Sequence, residues 1–122
     1  IDHNGALLEN PQIWQHEGSG PVKPNQDGPR AHCVKFHPNG RFLYAVDLGI
    51  DQVKVYPVTA QGVGKETSYA EMDPGDGPRH MVLNQAGNLA FVVNAVKDTN
   101  LGYGGKYGYG YGKSSKKWWK FS

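Results

Sequence analysis

Phe36-His37-Pro38-Asn39-Gly40-Arg41-Phe42-Leu43-Tyr44-Ala45-Val46-Asp47 decides the fold, because its pattern occurs twice. Forty-seven residues on stands Leu83-Asn84-Gln85-Ala86-Gly87-Asn88-Leu89-Ala90-Phe91-Val92-Val93-Asn94. Both copies run from an apolar residue through a polar turn, with glycine at the same place, into an apolar run that ends on an acid or its amide. Each follows a Gly-Pro-Arg, at Gly28-Pro29-Arg30 and Gly77-Pro78-Arg79, forty-nine residues apart. A period of roughly 45–50 residues with about four short strands per unit is that of a β-propeller blade.

Outward from the repeat the chain reads as strands and tight turns. Gln52-Val53-Lys54-Val55-Tyr56 alternates polar and apolar, as a half-buried strand does. One unit is predicted as an inner strand 32–36, then 42–47, 52–57 and an outer strand 67–72. The next begins at 80–84 and 89–94, and residues 6–16 read as the outer strand of a preceding blade. Leu48-Gly49-Ile50-Asp51 and Asp73-Pro74-Gly75-Asp76-Gly77 are turn signals, since proline presets φ and glycine accepts positive φ. No segment carries a sustained helical period, so almost no helix is expected. The fold class is therefore all-β: a fragment of a β-propeller with about one and a half four-stranded antiparallel blades. A small antiparallel sandwich is the runner-up. Because a propeller ring takes about four to eight blades, the chain reads as a piece of a longer protein, or as one of several copies that close a ring. Open blade edges favour self-association.

Composition sets the remaining bounds. The chain has 122 residues and a formal charge of +2. Its apolar runs fall far short of the ~20 residues a membrane helix needs, so no membrane span is expected, and no secretory signal is visible. The single Cys33 forms no internal disulfide and builds no multi-cysteine metal site, which suits a reducing, cytoplasmic setting. The five histidines show no metal-ligand spacing, so neither metal nor cofactor is expected. Charge is uneven. Residues 1–100 hold eight Lys/Arg and all eleven Asp/Glu, whereas residues 101–122 hold five Lys, no acid, four of the seven Tyr and two of the three Trp. This break divides the chain into a partial propeller, 1–97, and a Gly/Tyr/Lys-rich low-complexity tail, 98–122, expected to be disordered because glycine builds no core. Lysines among aromatic rings suit membrane surfaces or single strands by charge and stacking, without base readout, so no specific nucleic-acid partner is expected.

Four runs together carry a family resemblance: Gly18-Ser19-Gly20-Pro21, Arg30-Ala31-His32-Cys33-Val34, the stretch from His37 to Asp51 with its Asp47-Leu48-Gly49-Ile50-Asp51, and Gly77-Pro78-Arg79-His80. Over residues 1–94 the chain resembles the seven-bladed propeller lactonases, the 6-phosphogluconolactonase / 3-carboxymuconate-cyclase family, of which it would be an interior third. The resemblance implies hydrolysis of a sugar lactone such as 6-phosphogluconolactone in carbohydrate metabolism, with no metal, at the central opening. His32 matches the second histidine of the family's His-x-His, and Arg79 and His80 match its Gly-Pro-Arg-His. The first histidine of that motif is Arg30 here, and Asn94-Ala95 stands where the family has Asn-Glu. The tail is similar to the tyrosine-rich C-terminus of bacterial tyrosine autokinases, though no phosphate-binding loop accompanies it.

Lactone opening needs a base for water, a donor for the oxyanion and a proton for the leaving alkoxide. Imidazole exchanges protons near neutral pH, and guanidinium presents a fixed fork of donors to an anion. His32 and His80 are thus the candidate catalytic residues and Arg79 and Arg30 the candidate substrate-binding ones. The isolated chain is expected to be inactive. The alternative is a non-catalytic propeller fragment that binds a partner. Asp47 and Asp51 read as turn-stabilising acceptors, His37 as a structural turn residue, His3 and His16 as exposed, and Cys33 as an inert core thiol.

Overall fold

The computed structural model describes residues 4–6, 11–94 and 117–120. All regular structure among them is β: β1 (Ala31–Phe36), β2 (Phe42–Asp47), β3 (Gln52–Thr59), β4 (Gly62–Val63), β5 (Ser68–Glu71), β6 (Pro78–Leu83), β7 (Leu89–Asn94) and β8 (Lys117–Lys120). The first sheet runs β1-β2-β3, with β5 pairing the first half of β3 and the two-residue β4 returning against its far end. The second sheet runs β6-β7-β8, and every pairing is antiparallel. Blade 1 is thus a complete four-stranded unit, in the predicted order and nearly the predicted spans.

The blades pack face to face. Tyr44, Val46, Val53, Val55 and Met72 of blade 1 meet Met81, Ala90 and Val92 of blade 2 in one buried cluster, rimmed by Cys33, Phe42, Ala70 and Leu83. Side chains alternate across each strand, so the next residues along, Val82, Leu89 and Val93, lie on the far face of blade 2 and stay exposed. Cys33, expected in the core, is a half-buried free thiol at its rim. On the other face of blade 1, Lys54 is buried but paired, its Nζ 2.7 Å from Glu66 Oε2 and 5.5 Å from the centre of the Tyr69 ring.

Register bears out the period of the repeat. Ala31 pairs Asp47 and Pro78 pairs Asn94, a constant spacing of forty-seven residues. The two Gly-Pro-Arg copies therefore stand two residues out of step. Each blade carries a β-bulge at the same place: between Ala31 and Cys33 the partner advances only from Asp47 to Val46, and between Pro78 and His80 only from Asn94 to Val93. The extra residues are His32 and Arg79, so these two occupy equivalent positions.

The N-terminal segment is also corrected. Residues 11–16 form no strand; they cross blade 1 as a strap. Trp14 Nε1 donates to Val63 O at 3.1 Å, and the His16 ring reaches into blade 1. Side chains fasten this strap, which is why it makes no backbone ladder. Residues 7–10 of that expected strand, and His3, lie outside the described residues.

The turns behave as read. Asp51, at φ 56°, closes the β2–β3 turn, where only short polar residues and glycine are readily accommodated. Gly49 in the same turn is obligatory: a Cβ there would lie 1.9 Å from Gly28 O, backbone that cannot swing aside. His37 Nδ1 accepts from Asn39 N at 3.1 Å, and its Nε2 reaches Gly87 O at 3.1 Å, tying the β1–β2 turn to the β6–β7 turn. Most of the tail, Ala95 and the boundary near residue 98 lie outside the described residues. Lys117–Lys120 is described, and it forms β8 along β7.

Candidate functional site

The first strands of both blades begin with the bulges, and these bring the candidate residues together. A bulge leaves one residue outside the ladder and re-aims its side chain. His32, the extra residue of β1, turns its ring edge-on to that of His80 on β6, with ring centres 5.0 Å apart and planes at 88°. Both histidines are exposed to solvent. Arg79, the extra residue of β6, is half-buried, and its Nε is buried with no hydrogen-bond partner among the described residues. A buried donor left unmade costs about 1–3 kcal/mol, so this nitrogen is a natural place for an acceptor.

Arg30 is placed differently. Its guanidinium Nη2 donates to Pro24 O at 3.2 Å on the preceding loop, while its backbone N donates to Asp47 Oδ1 at 2.7 Å. The structure thus joins His32 and His80 directly, sets Arg79 next to His80 along β6, and gives the Arg30 side chain a loop carbonyl as partner.

Two carboxylates support this region, both as the turn acceptors expected of them. Asp47 Oδ1 takes the backbone N–H groups of Arg30 (2.7 Å) and Gly49 (2.8 Å). Asp51 Oδ1 accepts from Gln26 Nε2 and Gly77 N and its Oδ2 from Gly75 N, each at 2.7 Å, so one side chain anchors the loop before β1 and the linker into β6. Gln26 is fully buried and answers in kind, with Nε2 also donating to Leu48 O and Oε1 accepting from Val22 N.

Sequence reasoning placed His16 at the surface, and the structure overturns this. Its side chain is 8% exposed, and that of Asp47 0%. His16 Nδ1 lies 2.5 Å from Asp47 Oδ2 and its Nε2 2.8 Å from Tyr56 OH. Burial pushes the Tyr56 phenol above its ordinary range, with the Glu66 and Asp47 carboxylates adding to the effect. The signal that could have found this contact was Asp47 itself: a carboxylate at the end of an apolar strand must be matched by donors once buried. A small cleft of about 200 Å³ lies here, lined by Trp14, Gln15, His16, Pro29, Ala31 and Asp47. Among the described residues no group of three or more His, Cys, Asp or Glu is disposed to hold a metal ion, and no helix is long and apolar enough to cross a membrane.

The blade order agrees with the match to a family model described as a seven-bladed β-propeller lactonase, which covers residues 1–100. The chain belongs to this lactonase family. Relatives agree. It is 31% identical over 98 residues to the 6-phosphogluconolactonase of Bacillus subtilis, covering 80% of this chain and 28% of that one. A solved structure of a Lactobacillus plantarum protein superimposes with a TM-score of 0.68 at 39% identity, over 77% of this chain and 27% of the other. A periplasmic gluconolactonase of Pseudomonas aeruginosa shares the fold, with a TM-score of 0.68 at 22% identity, over 100% of this chain and 34% of that one. The lactonase segment described here thus spans about a third or less of the length of these relatives.

Proposed function

We propose that this segment supplies part of the active site of a lactonase-type hydrolase that opens a sugar lactone carrying an anionic group, such as 6-phosphogluconolactone. The observation that carries the reading is the bulge pair, with His32 edge-on to His80 and, next to His80 along β6, Arg79 with its buried Nε lacking an acceptor among the described residues. In this reading one imidazole takes a proton from water as its oxygen attacks the lactone carbonyl carbon. The other returns a proton to the ring oxygen as the carbon–oxygen bond breaks, giving the hydroxy acid. Arg79 holds the anionic substituent, and Arg30 joins it by leaving Pro24 O. No cofactor enters the scheme. The cytoplasm is the compartment proposed, on the single unpaired Cys33.

The test is a hybrid in which residues 1–94 replace the matching stretch of the Bacillus relative. The hybrid should hydrolyse 6-phosphogluconolactone. His80→Ala should lower kcat by roughly 10²–10⁴, the usual weight of a proton-transfer group, and Arg79→Ala should act mainly on KM. A folded hybrid whose rate ignores His80→Ala sinks the assignment.

A second reading, a non-catalytic module, is favoured by one observation. Val82, Leu83, Asn84, Leu89 and Phe91 line an open, apolar cleft of about 390 Å³ on the far face of blade 2. Such a face suits self-association. Sedimentation of the chain across a concentration range, with Val82→Asp as control, decides between a monomer and an assembly.

A further inference from the structure

The strap that carries His16 takes no part in the chemistry above, yet its ring is bound at both nitrogens inside the protein. Asp47, an acceptor only, fixes the proton on Nδ1. Nε2 shares a hydrogen bond with the Tyr56 hydroxyl, whose pKa burial raises. The other oxygen of Asp47 receives the backbone N–H of Arg30, while Arg30 O accepts from Leu48 N at 3.1 Å. A path of hydrogen bonds therefore runs from Tyr56 through His16 and Asp47 to the backbone two residues before His32.

That backbone is where fixing is needed. As the bulged residue, His32 has no cross-strand partner of its own; the ladder resumes only at Cys33 opposite Val46. On its other side, Ala31 and Arg30 are held by Asp47, through the register and through the Arg30 N–H. The direction of the His32 ring thus depends on how Asp47 is held, and Asp47 Oδ2 is held by His16.

We propose that His16 is a positioning residue for the candidate site: acting through Asp47, it fixes the bulged start of β1 and so sets the His32 ring against that of His80. The proposal rests on reading that pair as the proton carriers, but its geometric content is testable without turnover. Its rival is that His16 merely fastens the strap.

Two near-isosteric variants separate the two. The amide nitrogen of asparagine stands where Nδ1 stood, and that of glutamine where Nε2 stood. His16→Asn therefore keeps the donation to Asp47, and His16→Gln keeps only the contact with Tyr56. The readout on the 122-residue chain is the nuclear Overhauser effect between the His32 and His80 ring protons. It should be present in the parent, retained in His16→Asn and lost in His16→Gln. Trp14→Phe removes the strap's other bond, to Val63 O, and should leave the signal intact. The idea is overturned by absence of the signal in the parent, by its survival in His16→Gln, or by equal loss in Trp14→Phe. In the active hybrid, His16→Gln should lower kcat roughly ten- to hundredfold at unchanged KM, the scale on which a misplacement of about 1 Å is felt. An inactive hybrid defeats the lactonase reading and leaves the ring contact to be judged by the Overhauser signal alone.

Discussion

Replacing Asp51 should do more harm than any other change outside the apolar core that leaves glycine untouched. Its carboxylate accepts three bonds of 2.7 Å, from Gln26 Nε2, Gly75 N and Gly77 N. Bonds to a charged group contribute about 1.5–3 kcal/mol each, but the three do not count equally. Gln26 Nε2 keeps Leu48 O as an acceptor, and Gly75, on a half-open turn, is within reach of water. Gly77 N bears the largest loss. Alanine at φ 56° adds about 1 kcal/mol of backbone strain that aspartate partly avoids. Asp51→Ala should therefore destabilise by about 3–5 kcal/mol, at the upper end for single substitutions. Asp51→Asn tolerates the same φ and keeps one oxygen for Gln26 and Gly77. Only Gly75 N then faces a donor, and the loss should be about 1–2 kcal/mol. Urea unfolding followed by tryptophan fluorescence measures both, read from the midpoint with m unchanged. If Asp51→Ala lies within about 0.5 kcal/mol of the parent, or if the asparagine variant is the worse, the anchoring argument fails.

Two further outcomes follow from the same geometry. Gly87→Ala would put a Cβ 2.3 Å from His37 Nε2 at φ 73°; it should destabilise by about 2 kcal/mol, and by clearly less in a His37→Ala background, as a double-mutant cycle in urea would show. The Tyr44 and Tyr56 phenols are held above their ordinary range by burial, so the folded state retains protons that the unfolded chain releases near pH 10. Stability should be level below that pH and fall as pH rises through it, which denaturant midpoints between pH 8 and 11 would reveal; Tyr56→Phe should flatten the slope.

The fold was legible where its causes are local. Alternation in Gln52–Tyr56 and glycine-bearing turns at Gly40 and Gly87 act within a few residues, and β1, β2, β3, β5, β6 and β7 follow them. The period of the repeat was legible too, but the bulges were not. Two copies of Gly-Pro-Arg look equivalent as strings but stand two residues out of step, and the bulges that leave His32 and Arg79 outside their ladders are exposed only by the partner strands. The candidate site was legible only as residue types, two histidines and an arginine, while the reason that His32 meets His80 lies in the ladder. His16 was missed because its partners are 31 and 40 residues away and nothing beside it announces them.

The last described residues show the same limit from the other side. Composition separates the end of the chain from its body, yet composition reports which residues can build a core, and a ladder is built by backbone groups that every residue except proline supplies in full. In blade 1, Phe42 pairs Pro57 and Ala45 pairs Lys54; at the matching positions of blade 2, Leu89 pairs Lys120 and Val92 pairs Lys117. β8 thus stands in blade 2 where β3 stands in blade 1. A strand edge such as that of β7 presents unpaired N–H and C=O groups whatever the charge of its neighbours, so Lys-Trp-Trp-Lys can occupy the third-strand position without resembling Lys-Val-Tyr-Pro beyond its first residue. Lys117–Lys120 is therefore part of the blade 2 ladder although its composition differs from that of the body.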